Sequence, residues 1–174
     1  LSEHTPEAHL CRVDMRLPPD GNSGPLAMSR AAYFAYYEAR GELWERQMLI
    51  KSRLVAGDGR VGEKWMEEIQ PFIYPKTLLA SPLEEIARIK ARIESNLDGE
   101  KNIKLGSGGI RDIEFVVQAL QLLNGGNNMQ LRQRNTLLAL RQLAQSKHLK
   151  ENEERDLESA YRFLRTVEDR LQLL

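Results

Sequence analysis

The sequence predicts a mainly α protein: an antiparallel helical bundle preceded by one strand and a few further helices. Three observations predict it. Period-two alternation of polar and apolar residues occurs once, over residues 12–17. From Ser29 onward apolar residues recur at the three-to-four spacing of helices. Proline and glycine clusters divide that stretch into segments joined by short loops, the pattern of neighbouring antiparallel helices.

In Arg12-Val13-Asp14-Met15-Arg16-Leu17 the apolar Val13, Met15 and Leu17 share one face, and Arg12, Asp14 and Arg16 the other. Pro18-Pro19-Asp20-Gly21 stops the strand, and Asn22-Ser23-Gly24-Pro25 continues as turn chemistry. Ser29 is a candidate N-cap for a helix through Arg40, with Gly41 available to end it in a left-handed conformation. A second helix is expected from about Glu42 to about Val55, burying Trp44, Met48 and Leu49. Gly57-Asp58-Gly59 marks a loop, and Pro71 and Pro75 interrupt the stretch after it. Ser81-Pro82-Leu83-Glu84 has the form of a capping box with proline at the first helical position, opening a helix that runs to Gly99. An apolar helix then spans Ile110 to Leu123, closed by Gly125-Gly126, and two more cover about Arg134–Lys147 and Glu151–Leu174. The proline cluster places a domain boundary at 74/75, giving segments 1–74 and 75–174.

Composition narrows the function classes. Lys+Arg and Asp+Glu number 25 each, so no net field draws the chain to nucleic acid or an anionic membrane. Apolar runs are short and interrupted by charge, so neither a transmembrane span nor a signal peptide is expected. The single cysteine, Cys11, suits a reducing cytoplasm, and with His4, His9 and His148 scattered no zinc site is expected. The start, without methionine and leading into a lone strand, reads as that of an excised segment.

Several constellations are candidates for chemistry. Asp14 between Arg12 and Arg16 suits a metal ligand flanked by phosphate-binding guanidinium groups, and equally a solvated strand face with paired charges. Gly106, Gly108 and Gly109 precede a helix whose N-terminus, with converging amides, favours an anion. On that helix Arg111, Glu114, Gln118 and Gln121 form one polar stripe, flanked by Asp112, among Ile113, Phe115, Val116, Val117, Leu120 and Leu123. Buried unpaired, such a stripe is costly, so it faces either a ligand cleft or an interhelical polar network. The Lys-Ser/Thr ending of a P-loop is absent. Lys51 and Arg53 extend either a positive wall or a solvated face. Arg162, Arg165, Glu168, Asp169 and Arg170 read as surface or interhelical pairing.

Taken in order, these segments resemble the glutamine synthetase adenylyltransferase/deadenylylase family. The residues that carry the resemblance are 12–17, Asp20 to Leu26, Tyr36-Tyr37, Trp44-Glu45-Arg46-Gln47, Lys51-Ser52-Arg53 and Ala56-Gly57-Asp58. They continue with Ile103-Lys104, Gly108-Gly109-Ile110-Arg111-Asp112-Ile113-Glu114-Phe115, Gln118, Gln121-Leu122 and the block from Ala160 to Arg165 with Glu168 and Leu171-Gln172. The resemblance implies that 1–74 is the C-terminal remnant of a nucleotidyltransferase catalytic domain and 75–174 a bundle of the substrate-binding-domain type. It leans towards the N-terminal, deadenylylase-like unit, on Ser23-Gly24-Pro25-Leu26 and Arg111.

By the same resemblance, Asp14 ligates Mg2+ and Arg16 contacts phosphate, with Arg12, Lys51, Arg53, Gly108, Gly109, Arg111, Asp112 and Glu114 on the nucleotide side. The reaction implied is AMP transfer from ATP to a tyrosine of glutamine synthetase, and its phosphorolytic removal to give ADP. A PII-type protein is the implied regulator. The family's Gly-Ser-x-Asp-x-Asp pair is nowhere in this chain, and one aspartate does not hold two ions about 3.5–4 Å apart, so the 174 residues alone are expected to be inactive. Where the family usually has Arg-Pro after the strand, this chain has Pro18-Pro19. A competing reading is a non-catalytic helical module that docks glutamine synthetase or a PII-type protein. A nucleotidyltransferase acting on RNA is disfavoured by the neutral charge.

Overall fold

The computed structural model describes residues 17, 19–78, 81–95 and 102–172. The strand expected at 12–17 lies, apart from Leu17, outside the described residues, and among the described ones there is no β-strand. The chain divides into two units, residues 1–45 and 46–174.

In the first unit α1 (Arg30–Arg40) begins where the Ser29 hydroxyl accepts the Ala32 N–H at 3.2 Å. Its tyrosines cluster: Tyr33 and Tyr37, one turn apart, stack at 6.3 Å, and Tyr36 meets Tyr37 edge-on at 5.2 Å. Arg40 lies over the Tyr36 ring at 4.9 Å and pairs with Asp20 at 3.2 Å, tying the helix end to the turn at Pro19–Gly24. Gly41 departs from expectation. Its φ of −63° and ψ of 126° are extended, not left-handed. Its N–H already bonds the Tyr37 carbonyl, and the chain passes directly into the next helix without reversing.

That helix, α2 (Leu43–Leu49), has its first turn fastened by the Glu45 carboxylate, which accepts the Glu42 N–H at 2.8 Å. It stops six residues short of the expected Val55 because Ser52 turns back, both its hydroxyl (2.7 Å) and its N–H (3.1 Å) donating to the Leu49 carbonyl. The buried residues also differ: Glu45, Gln47, Leu49 and Ile50 are buried, whereas Trp44 and Met48 are only half-buried.

In the second unit the stretch after the loop expected at Gly57-Asp58-Gly59 contains α3 (Gly59–Glu68) and α4 (Gln70–Ile73). The Asp58 side chain caps α3 by accepting the Arg60 N–H at 2.9 Å. Pro71 falls in the first turn of α4, where a missing N–H costs nothing. Glycine-aspartate-glycine here is a cap rather than a break.

The remaining helices are α5 (Pro82–Ser95), α6 (Ile110–Asn124), α7 (Thr136–Gln145) and α8 (Glu151–Gln172), with a 3-10 turn at Met129–Leu131 before α7. The Asn135 side chain caps α7 through the Leu137 and Leu138 amides. Val117 of α6, Leu131 of the 3-10 turn, and Ala139, Leu140 and Leu143 of α7 make one core cluster, with Leu149 and Leu157 against it. Each buried leucine contributes roughly 1.5–3 kcal/mol. Helix α6 packs on α5, α7 and α8, and α7 on α8. Arg141 of α7 pairs with Glu158 of α8 at 3.1 Å, and Thr136 neighbours Tyr161, so these two helices run antiparallel.

Gly125 and Gly126 serve close approach rather than backbone freedom. A Cβ on Gly125 would lie 2.6 Å from the Tyr74 ring, and one on Gly126 2.3 Å from the Pro75 carbonyl oxygen. Gly126→Ala is therefore expected to destabilise the protein by roughly 1–3 kcal/mol, read as a lower urea midpoint with unchanged slope. Arg141 first, then Arg162, holds the Glu158 carboxyl below its ordinary 4.5. A depressed carboxyl stabilises above that value and loses the effect as pH falls through its folded one. Glu158→Gln should lower stability at neutral pH and converge with the parent in acid.

Candidate functional site

The glycine turn before α6 folds on itself. The Asn102 side chain accepts the Lys104 and Leu105 amides at 3.0 and 2.9 Å. Gly106 N–H donates to Asn102 O, Gly109 N–H to Gly106 O, Ile110 N–H to Ile103 O, Arg111 N–H to Lys104 O and Asp112 N–H to Gly109 O. Gly108, at φ +75°, donates its N–H to the Asp112 carboxylate at 2.8 Å. A Cβ on Gly109 would sit 2.5 Å from the Ile103 oxygen, so this position requires glycine. The amides expected to converge on an anion are thus engaged within the turn, and the negative charge near the start of α6 is Asp112 itself.

Asp112 is held from α5 as well. Lys90 Nζ lies 2.8 Å from its carboxylate and 3.6 Å from Glu94. The Asp112 hydrogen bond is the leading reason that the Lys90 ammonium is raised above its ordinary value.

The polar stripe of α6 meets partners along its length. Glu114 accepts the Tyr161 hydroxyl at 3.0 Å, which joins α6 to α8. Gln118 accepts the Gln47 side-chain amide at 2.8 Å, both residues buried. Gln121, 1% exposed, donates to the Leu131 and Gln133 carbonyls at 2.6 and 2.8 Å. Val116 and Leu123, expected inside, are exposed instead.

Lys51 joins this seam. Its Nζ donates to the Thr136 hydroxyl at 2.7 Å and the Arg134 carbonyl at 2.9 Å. Burial lowers its pKa, while the charge of Glu114 pulls it back up. Burial raises the Tyr161 phenol; a hydrogen bond with Thr136 opposes this, and Glu114 adds to it. Lys51 and Glu114 are therefore brought together, as are Gly108 and Asp112. Arg53 has no ion-pair partner among the described residues, and Arg111 makes only a stacking approach to Phe115 at 5.9 Å. Arg12, Asp14 and Arg16 lie outside the described residues. On α8, Arg162 pairs with Glu158, and Glu168 takes Arg165 at 2.6 Å and Lys104 at 3.8 Å.

Sequence reasoning missed the roles of Lys90, Gln47, Thr136 and Tyr161. Only the placement of Thr136 directly after Asn135, a residue type that caps helices, offered a signal. Among the described residues no three His, Cys, Asp or Glu side chains come together to hold a metal, and no helix is long and apolar enough to cross a membrane.

Two family profiles match the chain: glutamate-ammonia ligase adenylyltransferase over residues 1–68, and GlnD PII-uridylyltransferase over residues 78–174. A protein of Nitrosococcus oceani is 46% identical over 99% of this chain, one of Rhizobium meliloti 43% over 100%, and one of Xanthomonas axonopodis pv. citri 41% over 100%. All three are named bifunctional glutamine synthetase adenylyltransferase/adenylyl-removing enzyme. The chain spans 18–19% of the length of these relatives.

The Lys90–Asp112–Gly108 linkage sets a measurable expectation. Asp112→Ala should cost about 1–2 kcal/mol, because it frees both an amide and an ammonium. In a double-mutant cycle with Lys90→Ala the coupling should be about 0.5–1 kcal/mol. Urea unfolding of the four proteins measures both.

Proposed function

Because this chain belongs to the glutamine synthetase adenylyltransferase/adenylyl-removing family, we propose that it is the helical portion, with an adjoining catalytic-domain segment, of a nucleotidyltransferase. That enzyme moves AMP between ATP and a tyrosine of glutamine synthetase, and removes it with phosphate to give ADP. The observation that supports this reading best is identity of 41–46% along essentially the whole chain to proteins bearing that name. The gap between the two profile matches, residues 69–77, supports a division into 1–74 and 75–174. The lean towards the adenylyl-removing unit rests on Ser23-Gly24-Pro25-Leu26 and Arg111.

We assign the candidate residues to two roles. Gly108, Gly109, Asp112 and Glu114 are supports: their polar groups are committed to the turn, to Lys90 and to Tyr161. Lys51 is committed to Thr136 and the Arg134 carbonyl. Arg111 and Arg53 have no carboxylate partner among the described residues and are the cations we assign to phosphate, together with Arg12 and Arg16. Asp14 is assigned as one Mg2+ ligand. A single aspartate does not hold two metal ions, so the reaction depends on carboxylates beyond Asp14. Glutamine synthetase is the protein substrate and a PII-type protein the regulator, both through the longer polypeptide, in the cytoplasm. The non-catalytic docking reading keeps one observation in its favour: Glu114, Gln118 and Gln121 of the α6 stripe are consumed internally, as a scaffold requires.

The test is a chimera in which this chain replaces the matching 18% of the Nitrosococcus oceani protein. The chimera is expected to release ADP from adenylylated glutamine synthetase in the presence of phosphate. Asp14→Asn should lower that rate by roughly a thousandfold, and Arg111→Gln its kcat/KM by about ten- to a hundredfold, with folding unchanged. The 174-residue chain alone should show neither reaction. Turnover by the pure chain, or full activity of both variants, refutes the assignment.

A further inference from the structure

Four side chains form one hydrogen-bonded chain across the second unit, with charge only at its ends. Lys51 Nζ donates to the Thr136 hydroxyl at 2.7 Å, Thr136 is hydrogen-bonded to Tyr161, and the Tyr161 hydroxyl donates to Glu114 at 3.0 Å. The Tyr161 proton is spent on Glu114, so the proton between Thr136 and Tyr161 comes from Thr136. Each hydroxyl thus accepts once and donates once, and the order runs from ammonium to carboxylate. Thr136, 4% exposed, is the link between the α2 side and the α8 side.

This chain joins the backbones that carry two of the cations assigned to phosphate. Arg111 stands one turn before Glu114 on α6, on the same face. Arg53 follows Lys51 by two residues, beyond the end of α2 at Leu49, so helix geometry does not place it. Side chains hold that segment: Ser52 Oγ on the Leu49 carbonyl at 2.7 Å, and Lys51 on Thr136 and the Arg134 carbonyl. Burial penalises the Lys51 ammonium, so losing the Thr136 oxygen is costly to it. Without that acceptor Lys51 turns to Glu114 or to solvent, and residues 51–53 are released from the start of α7.

We propose that Thr136 is a positioning residue: by joining Lys51 to Tyr161 it fixes the spacing of Arg53 and Arg111 about the phosphate they hold. The proposal rests on the assignment of those arginines to phosphate. Phosphorolysis of adenylylated glutamine synthetase by the chimera, with phosphate and protein substrate varied separately, tests it. Thr136→Val keeps the shape and removes the hydroxyl. It should raise the KM for phosphate roughly tenfold, with kcat within about twofold and the KM for glutamine synthetase unchanged. Thr136→Ser should keep the parent value. Tyr161→Phe, which breaks the chain at the next link, should raise the phosphate KM about threefold. Mere loss of folded enzyme lowers kcat and leaves both KM values alone. That pattern in Thr136→Val and Tyr161→Phe overturns the proposal, as does a serine variant that behaves like valine. Arg53→Gln and Arg111→Gln distinguish two failures. If they raise the phosphate KM and Thr136→Val does not, the positioning role alone is refuted. If neither arginine matters, the phosphate assignment is refuted and the positioning role with it.

Discussion

The second unit depends on how one helix disposes of its buried amides. Helix α6 is the inner element, touching α5, α7 and α8, yet it carries glutamines at two of its most enclosed positions. A carboxamide without partners in such a place costs several kcal/mol, more than most single contacts return. Gln121 resolves this by donating to two carbonyls of the connection before α7, and Gln118 by accepting from Gln47 of α2. These bonds fix which face of α6 looks at which neighbour, because an apolar helix alone tolerates several rotations. They also hold the connection from Gly125 to Asn135 against α6, so that α7 starts where Thr136 meets Lys51.

The rest of the seam depends on that placement. Lys51, Thr136, Glu114 and Tyr161 come from the end of α2, α7, α6 and α8, and each satisfies another's polar group. The turn at 102–109 is built the same way: an asparagine side chain, two glycines and an aspartate consume the amides that a helix start would otherwise present. Charge is thereby kept inside the scaffold at Asp112, Glu114 and Lys51, and left free of ion pairs at Arg53 and Arg111.

Much of this architecture is legible in the residues alone. The existence of α1, α5, α6, α7 and α8, and most of their ends, comes from spacing, the capping residue Ser29 and Pro82. The polar stripe on α6 is equally visible, with an internal network as one of its two meanings. The features that are not legible depend on partners distant in sequence. Whether Gln121 faces a ligand or the carbonyls of residues 131 and 133 is a tertiary fact. So is the engagement of Asp112 by Lys90, 22 residues earlier. At Gly57-Asp58-Gly59 the expected loop ends one residue early, since Gly59 opens α3 with Asp58 as its cap, and Pro71 interrupts the stretch by lying in the first turn of a new helix. Gly125 and Gly126 read as a helix stop, and α6 does end there, but the close passage of Tyr74 and Pro75 that also requires glycine is not legible.

The central claim, that Glu114, Gln118 and Gln121 of the α6 stripe are consumed within the fold, is tested most directly by side-chain hydrogen exchange. In nitrogen-15 labelled protein moved into heavy water, the carboxamide protons of Gln121 should persist far longer than those of the exposed Gln130, because Gln121 is itself buried and donates to two backbone carbonyl groups. Exchange of Gln121 at the rate of Gln130 would mean that the stripe is open to solvent, and the scaffold account would fall.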